Sequence, residues 1–128
     1  MAGQTINQVA RATLAFNRWA KDHLPVANSM MAVDVLIGIF LAERDRAEPA
    51  TFKELCWDLR HSEQAIRTIV ERLRESGWVK LEQDVRFRRS ISRLRIEPTR
   101  TETLADGLQM LRAMVNGETD PAGAGDRR

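Results

Sequence analysis

Five stretches of the chain repeat apolar residues at helical spacing, and one region between the fourth and fifth carries β-forming residues instead. From Thr5 to Ala20, Ile6, Val9, Thr13, Phe16 and Ala20 recur every three or four positions, with Ala12 and Trp19 beside them. That spacing predicts an amphipathic helix whose stripe needs a partner. Leu24-Pro25 ends it, because a residue ahead of proline is driven out of the helical region. Asn28 or Ser29 caps a second helix running to about Glu43. Its surface is apolar nearly all round, so it reads as the buried central helix. Asp34 is the exception, suited either to the first turns or to an arginine from another element. Arg44 to Ala50 reads as a charged loop containing Pro49.

Thr51-Phe52-Lys53-Glu54 is a capping box, and a short helix follows to about Leu59 with Phe52, Leu55, Cys56 and Leu59 on one face. Ser62 then caps a helix whose inward set is Ile66, Ile69, Val70 and Leu73. Its outward set is Gln64, Ala65, Arg67, Thr68, Glu71 and Arg72, and Gly77 supplies the left-handed stop. Trp78 to Leu81 and Ser90 to Ile96 predict the arms of a hairpin with an arginine-rich tip at Asp84-Val85-Arg86-Phe87-Arg88-Arg89. Pro98 ends the second strand, and Thr99-Arg100-Thr101-Glu102 offers a capping box for a last helix to about Val115, striped with Leu104, Leu108, Leu111 and Val115. Residues 118–128, rich in Gly, Ala and charge, predict a disordered tail.

Charge sharpens this picture. Residues 60–100 hold eleven Arg or Lys against six Asp or Glu, a net of +5, while the rest of the chain holds nine against twelve, a net of −3. Nearly all of the excess is arginine, whose planar fork suits phosphate and guanine better than lysine does. A helix of about 10 to 12 Å diameter fits the major groove, and an adjoining basic hairpin reaches the minor groove. Short helix, turn, second helix and hairpin together form a winged helix-turn-helix, in a mainly α chain with a small β component.

The residues go further than the order of elements. Phe52-Lys53-Glu54-Leu55, Arg60-His61-Ser62, Leu73 to Val79 and the run Asp84 to Arg89 closely resemble the MarR family of bacterial transcription regulators. Asp84, Arg86 and Arg89 match the wing signature D-x-R-x-x-R of that family, and Ile96-Glu97-Pro98-Thr99 resembles its step from wing to helix. The resemblance implies one domain over residues 1–117, with a DNA-binding lobe at about 47–98 and dimerisation helices at about 5–24 and 99–116. It implies a homodimer reading double-stranded DNA, with Ser62, Gln64, Ala65, Arg67, Thr68 and Arg72 on the recognition helix. In the wing it implies Arg86 in the minor groove, Asp84 bracing the wing's arginines, and Arg88 and Arg89 near phosphates. Two features depart from the pattern. The corner residue, often glycine, is Arg60, and Glu63 and Glu71 flank the reading surface, where they repel phosphates or accept from a cytosine amino group.

No enzyme is expected, since no nucleophile and base set, phosphate-binding glycine loop or paired carboxylate is present. One cysteine, Cys56, and two distant histidines, His23 and His61, leave no metal-ligand spacing and imply no cofactor. Cys56 reads as a core residue ahead of a redox sensor. No secretory signal is visible, and the apolar run Met30 to Ala42 is broken by Asp34 and shorter than the roughly 18 residues of a membrane span. The expected location is the cytoplasm. Phe16, Trp19, Met30 and Trp57 are candidates for a pocket taking a small aromatic effector, against the plainer reading of core packing. The alternatives to a regulator are a winged-helix protein-interaction module and a replication or architectural DNA-binding protein.

Overall fold

The computed structural model describes residues 5–24, 26–46, 48–86 and 89–117, and the tail expected at 118–128 lies outside the described residues. The order is α1 (Ile6–His23), α2 (Ser29–Leu41), a π-type turn (Ala42–Arg46), β1 (Ala50–Thr51), α3 (Phe52–Leu59), α4 (Glu63–Glu75), β2 (Val79–Arg86), β3 (Arg89–Ile96) and α5 (Pro98–Val115). The three strands form one antiparallel sheet in the order β1-β3-β2. Mainly helical with a small β component is therefore the architecture.

Helix α2 lies at the centre, as its all-round apolar surface requires, and packs on α1, α3, α4 and β3. Ala32, Val35, Leu36 and Ile39 are completely buried. Around them sit Leu55 of α3, Ile66, Ile69, Val70 and Leu73 of α4, Val79 of β2, and Leu94 and Ile96 of β3. Gly38 lets α3 come close: a Cβ there would stand 2.9 Å from a Leu55 methyl.

Helices α1 and α5 pack on each other within the chain, so their stripes have a partner that the periodicity alone did not assign. Ala12, Phe16 and Ala20 are buried on one side, and Leu104 and Gly107 on the other. Gly107 makes the approach possible, because a Cβ there would fall 2.6 Å from the Trp19 ring. The first turns of α1 stay uncovered, with Ile6 84% and Val9 41% exposed.

Three local expectations are corrected. The second helix does not run regularly to Glu43; its helical bonding widens at Ala42, and the expected loop from Arg44 is in part this π-type turn. The wing strands are longer than their β-branched content indicated, since cross-strand polar pairs extend the ladder to Arg86 opposite Arg89. Pro98 opens α5 instead of only closing a strand, and the Thr99 to Glu102 capping box does not form: Glu97 is the cap and makes no side-chain cap bond. Proline is pre-set for the first helical position and has no amide to satisfy there, which moves the start ahead of the threonine.

Candidate nucleic-acid interface

Helices α3 and α4 are built by their caps. Thr51 and Glu54 form the reciprocal capping box, with the Thr51 hydroxyl accepting from the Glu54 amide at 3.2 Å and the Glu54 carboxylate accepting from the Thr51 amide at 2.9 Å. Arg46 adds two bonds to the same carboxylate, at 3.2 and 3.3 Å. Burial works against the Glu54 charge, but the Thr51 amide and Arg46 outweigh it and hold the carboxyl below its usual range. The corner is made by Arg60 at φ 60°, left-handed, with its amide bonded to the Cys56 carbonyl. Ser62 restarts the chain as a cap, its hydroxyl accepting from the Ala65 amide at 3.1 Å.

The periodicity of α4 is reproduced residue by residue. Ile66, Ile69, Val70 and Leu73 are buried, while Ser62, Gln64, Arg67, Thr68, Glu71 and Arg72 are exposed and Ala65 is half-buried. The polar face of α4 is not a row of free donors. Arg67 is bound to Glu63 at 3.0 Å through Nε and 2.7 Å through Nη2, and its guanidinium lies 4.8 Å over the Phe52 ring. Thr68 donates its hydroxyl to the Gln64 carbonyl at 3.0 Å. Arg74 pairs with Glu71 at 3.1 Å. Arg72 has no carboxylate partner among the described residues and lines a cleft of about 430 Å³ between α4 and the start of α2, with Asn28, Met31, Gln64 and Thr68.

In the wing, period two sorts the chemistry. Val79, Leu81, Leu94 and Ile96 turn to the core, and Lys80, Glu82, Asp84, Arg93 and Arg95 share the other face. Ion pairs there run diagonally across the ladder, Arg95 to Glu82 at 2.7 Å and Arg93 to Asp84 at 2.8 Å. Its bond from Arg95, with help from Lys80, keeps the Glu82 carboxyl below its usual range. Asp84 thus braces an arginine, but the one it grips is Arg93, which the charge count did not single out. Arg93 is 9% exposed and also donates to the Pro49 carbonyl at 2.7 Å. It fastens the wing to the segment leading into α3. Its signal in the sequence was the alternation Arg93-x-Arg95 facing Lys80-x-Glu82-x-Asp84. Arg89 is exposed; the backbone of Arg86 closes β2, and Arg88 lies outside the described residues.

The remaining expectations divide: His23 and Cys56 stand where they were placed, and Asp34 and the aromatic set do not. Asp34 meets neither the dipole of its own first turn nor an arginine: its carboxylate is 3.1 Å from Nε2 of His61, tying the corner before α4 to the central helix. His23 bonds the Trp19 carbonyl through Nδ1 at 2.8 Å, at the end of α1. The four residues proposed to line an aromatic pocket do not converge. Phe16 and Trp19 stack on each other at 5.4 Å, whereas Trp57 and Met30 are 83% and 57% exposed. Cys56 packs against the core, and burial followed by the nearby Glu63 pushes its thiol up, away from thiolate reactivity.

No family model matches the chain, and no curated protein matches it in sequence. Among solved structures, a cysteine-to-serine mutant of MarR from E. coli matches with a TM-score of 0.60, covering 94% of this chain and 86% of that one. The chain has a MarR-like fold. Sequence identity is 17%, so the likeness is one of architecture. In this MarR-like frame α3 and α4 are the helix-turn-helix and β2-β3 the wing. No described helix is long and apolar enough to cross a membrane.

Proposed function

We propose that the chain is a sequence-specific, double-stranded DNA-binding transcriptional regulator acting as a homodimer, with α4 in the major groove and the wing in the minor groove. The observation that carries this reading is the division of α4: its apolar side is wholly committed to the core, while its polar side stands open beside a braced, basic hairpin. The MarR-like fold supports the same reading, since such helices and wings dock in adjacent grooves.

Within this proposal Ser62, Gln64, Ala65, Arg67, Thr68 and Arg72 face the major groove, and Asp84, Arg86, Arg88 and Arg89 form the wing's contribution. The same proposal has the chain repress by occupying its operator and act in the cytoplasm. Response to a small effector would use the cleft between α4 and α2, because a ligand there stands against the reading face. Arg86→Ala is the test of the wing. It should weaken binding to a selected duplex about tenfold and leave the melting temperature unchanged. Unchanged affinity would remove the wing from the interface.

A further inference from the structure

The two outward arginines of α4 are held very differently. Arg72 has no carboxylate partner among the described residues, whereas the Arg67 guanidinium is fixed from two elements at once. Glu63, one turn earlier, accepts from Nε at 3.0 Å and from Nη2 at 2.7 Å through the single oxygen Oε2. Phe52, on α3, lies under the guanidinium carbon at 4.8 Å. A pair at i and i+4 accounts for the carboxylate but not for the ring of a different helix.

The chemistry of the fork decides what is left. A guanidinium has five N–H groups in one plane, arranged as a side edge and an end edge. Glu63 occupies the side edge. The end edge, one hydrogen on Nη1 and one on Nη2, makes no hydrogen bond within the described chain, and the Arg67 side chain is 55% exposed. Two parallel donors of this kind match O6 and N7 of guanine in the major groove. Residues near the N-terminus of a recognition helix are those that reach base edges, and Glu63 and Arg67 occupy its first and fifth positions.

We infer that Arg67 is a guanine reader pre-oriented by Glu63 and Phe52, so that one guanine in each half-site is specified by this chain. The inference rests on the DNA-binding reading above. Glu63 and Phe52 are positioning residues that touch no base. This role gives the Glu63 carboxylate a use toward DNA beyond its favourable place in the first turn of α4. Its charge is offset by Arg67, and what it gains is a fork that need not be ordered on binding.

The test is selection of bound sites from random duplex DNA, followed by affinity measurements on the selected site and on the same site with each guanine replaced. The chain should require a guanine at one position of each half-site. Arg67→Lys keeps the charge and loses the fork, so it should cut the preference for that guanine roughly tenfold while the salt dependence stays the same. Glu63→Ala separates positioning from plain electrostatics. Removing a negative charge raises affinity for random DNA, whereas loss of the buttress lowers the guanine preference several-fold. If Arg67→Lys keeps the full preference, the inference falls and DNA binding stands. If the unaltered chain shows no salt-dependent duplex binding, the proposed function falls and takes the inference with it.

Discussion

Arg60 turns the corner of the helix-turn-helix with a left-handed backbone, in a position where a side chain costs about 1 kcal/mol that glycine avoids. Its amide still closes α3 on the Cys56 carbonyl, so the turn is kept. Arg60→Gly should therefore raise stability by about 1 kcal/mol, visible as a higher midpoint in denaturant with unchanged slope. The caps beside it were readable, because Thr51, Glu54 and Ser62 act over three residues. Arg93 was not readable as a site residue. Its partners Pro49 and Asp84 come from separate parts of the chain, and only the strand register brings them to one guanidinium.

The wing is fastened by that buried cation more than by its exposed ones. Arg93→Met keeps volume but strips Asp84 of this partner and Pro49 of its donor, in a place water reaches poorly. Unfolding should become easier by about 2 to 4 kcal/mol. Arg95→Met, at a pair whose two side chains are 39% and 40% exposed, should cost less than about 1 kcal/mol. Equal losses would show that the wing is not fastened through Arg93. Helix faces were legible from spacing, most fully in α4, where all four inward residues are buried. Element ends were less so: Pro98 outcompeted a plausible threonine cap, and the widened turn after Leu41 left no periodic trace.

The pairing of α1 with α5 absorbs part of the apolar surface that the family resemblance had assigned to a second subunit. Ile6, Val9 and Leu14 remain uncovered on α1. A second copy that buries them is the arrangement expected of a reader of paired half-sites. Sedimentation at micromolar concentration should give a dimer, and Ile6→Asp with Val9→Asp should shift it to monomer; a stable monomer from the unaltered chain would remove the two-fold reader. The winged-helix order was visible from the residues because α3, α4 and the wing carried their own caps, stop and alternation, whereas β1, in a stretch read as loop and cap, was not. How the helices meet depends on Gly38 and Gly107, whose importance appears only against Leu55 and Trp19.

The affinity of the chain for its selected duplex and for random duplex, measured over a series of salt concentrations, decides whether it reads DNA. DNA reading predicts that log affinity falls linearly with log salt and that the selected site is favoured by about a thousandfold or more. Affinity that is flat with salt, or equal for the two duplexes, would contradict it.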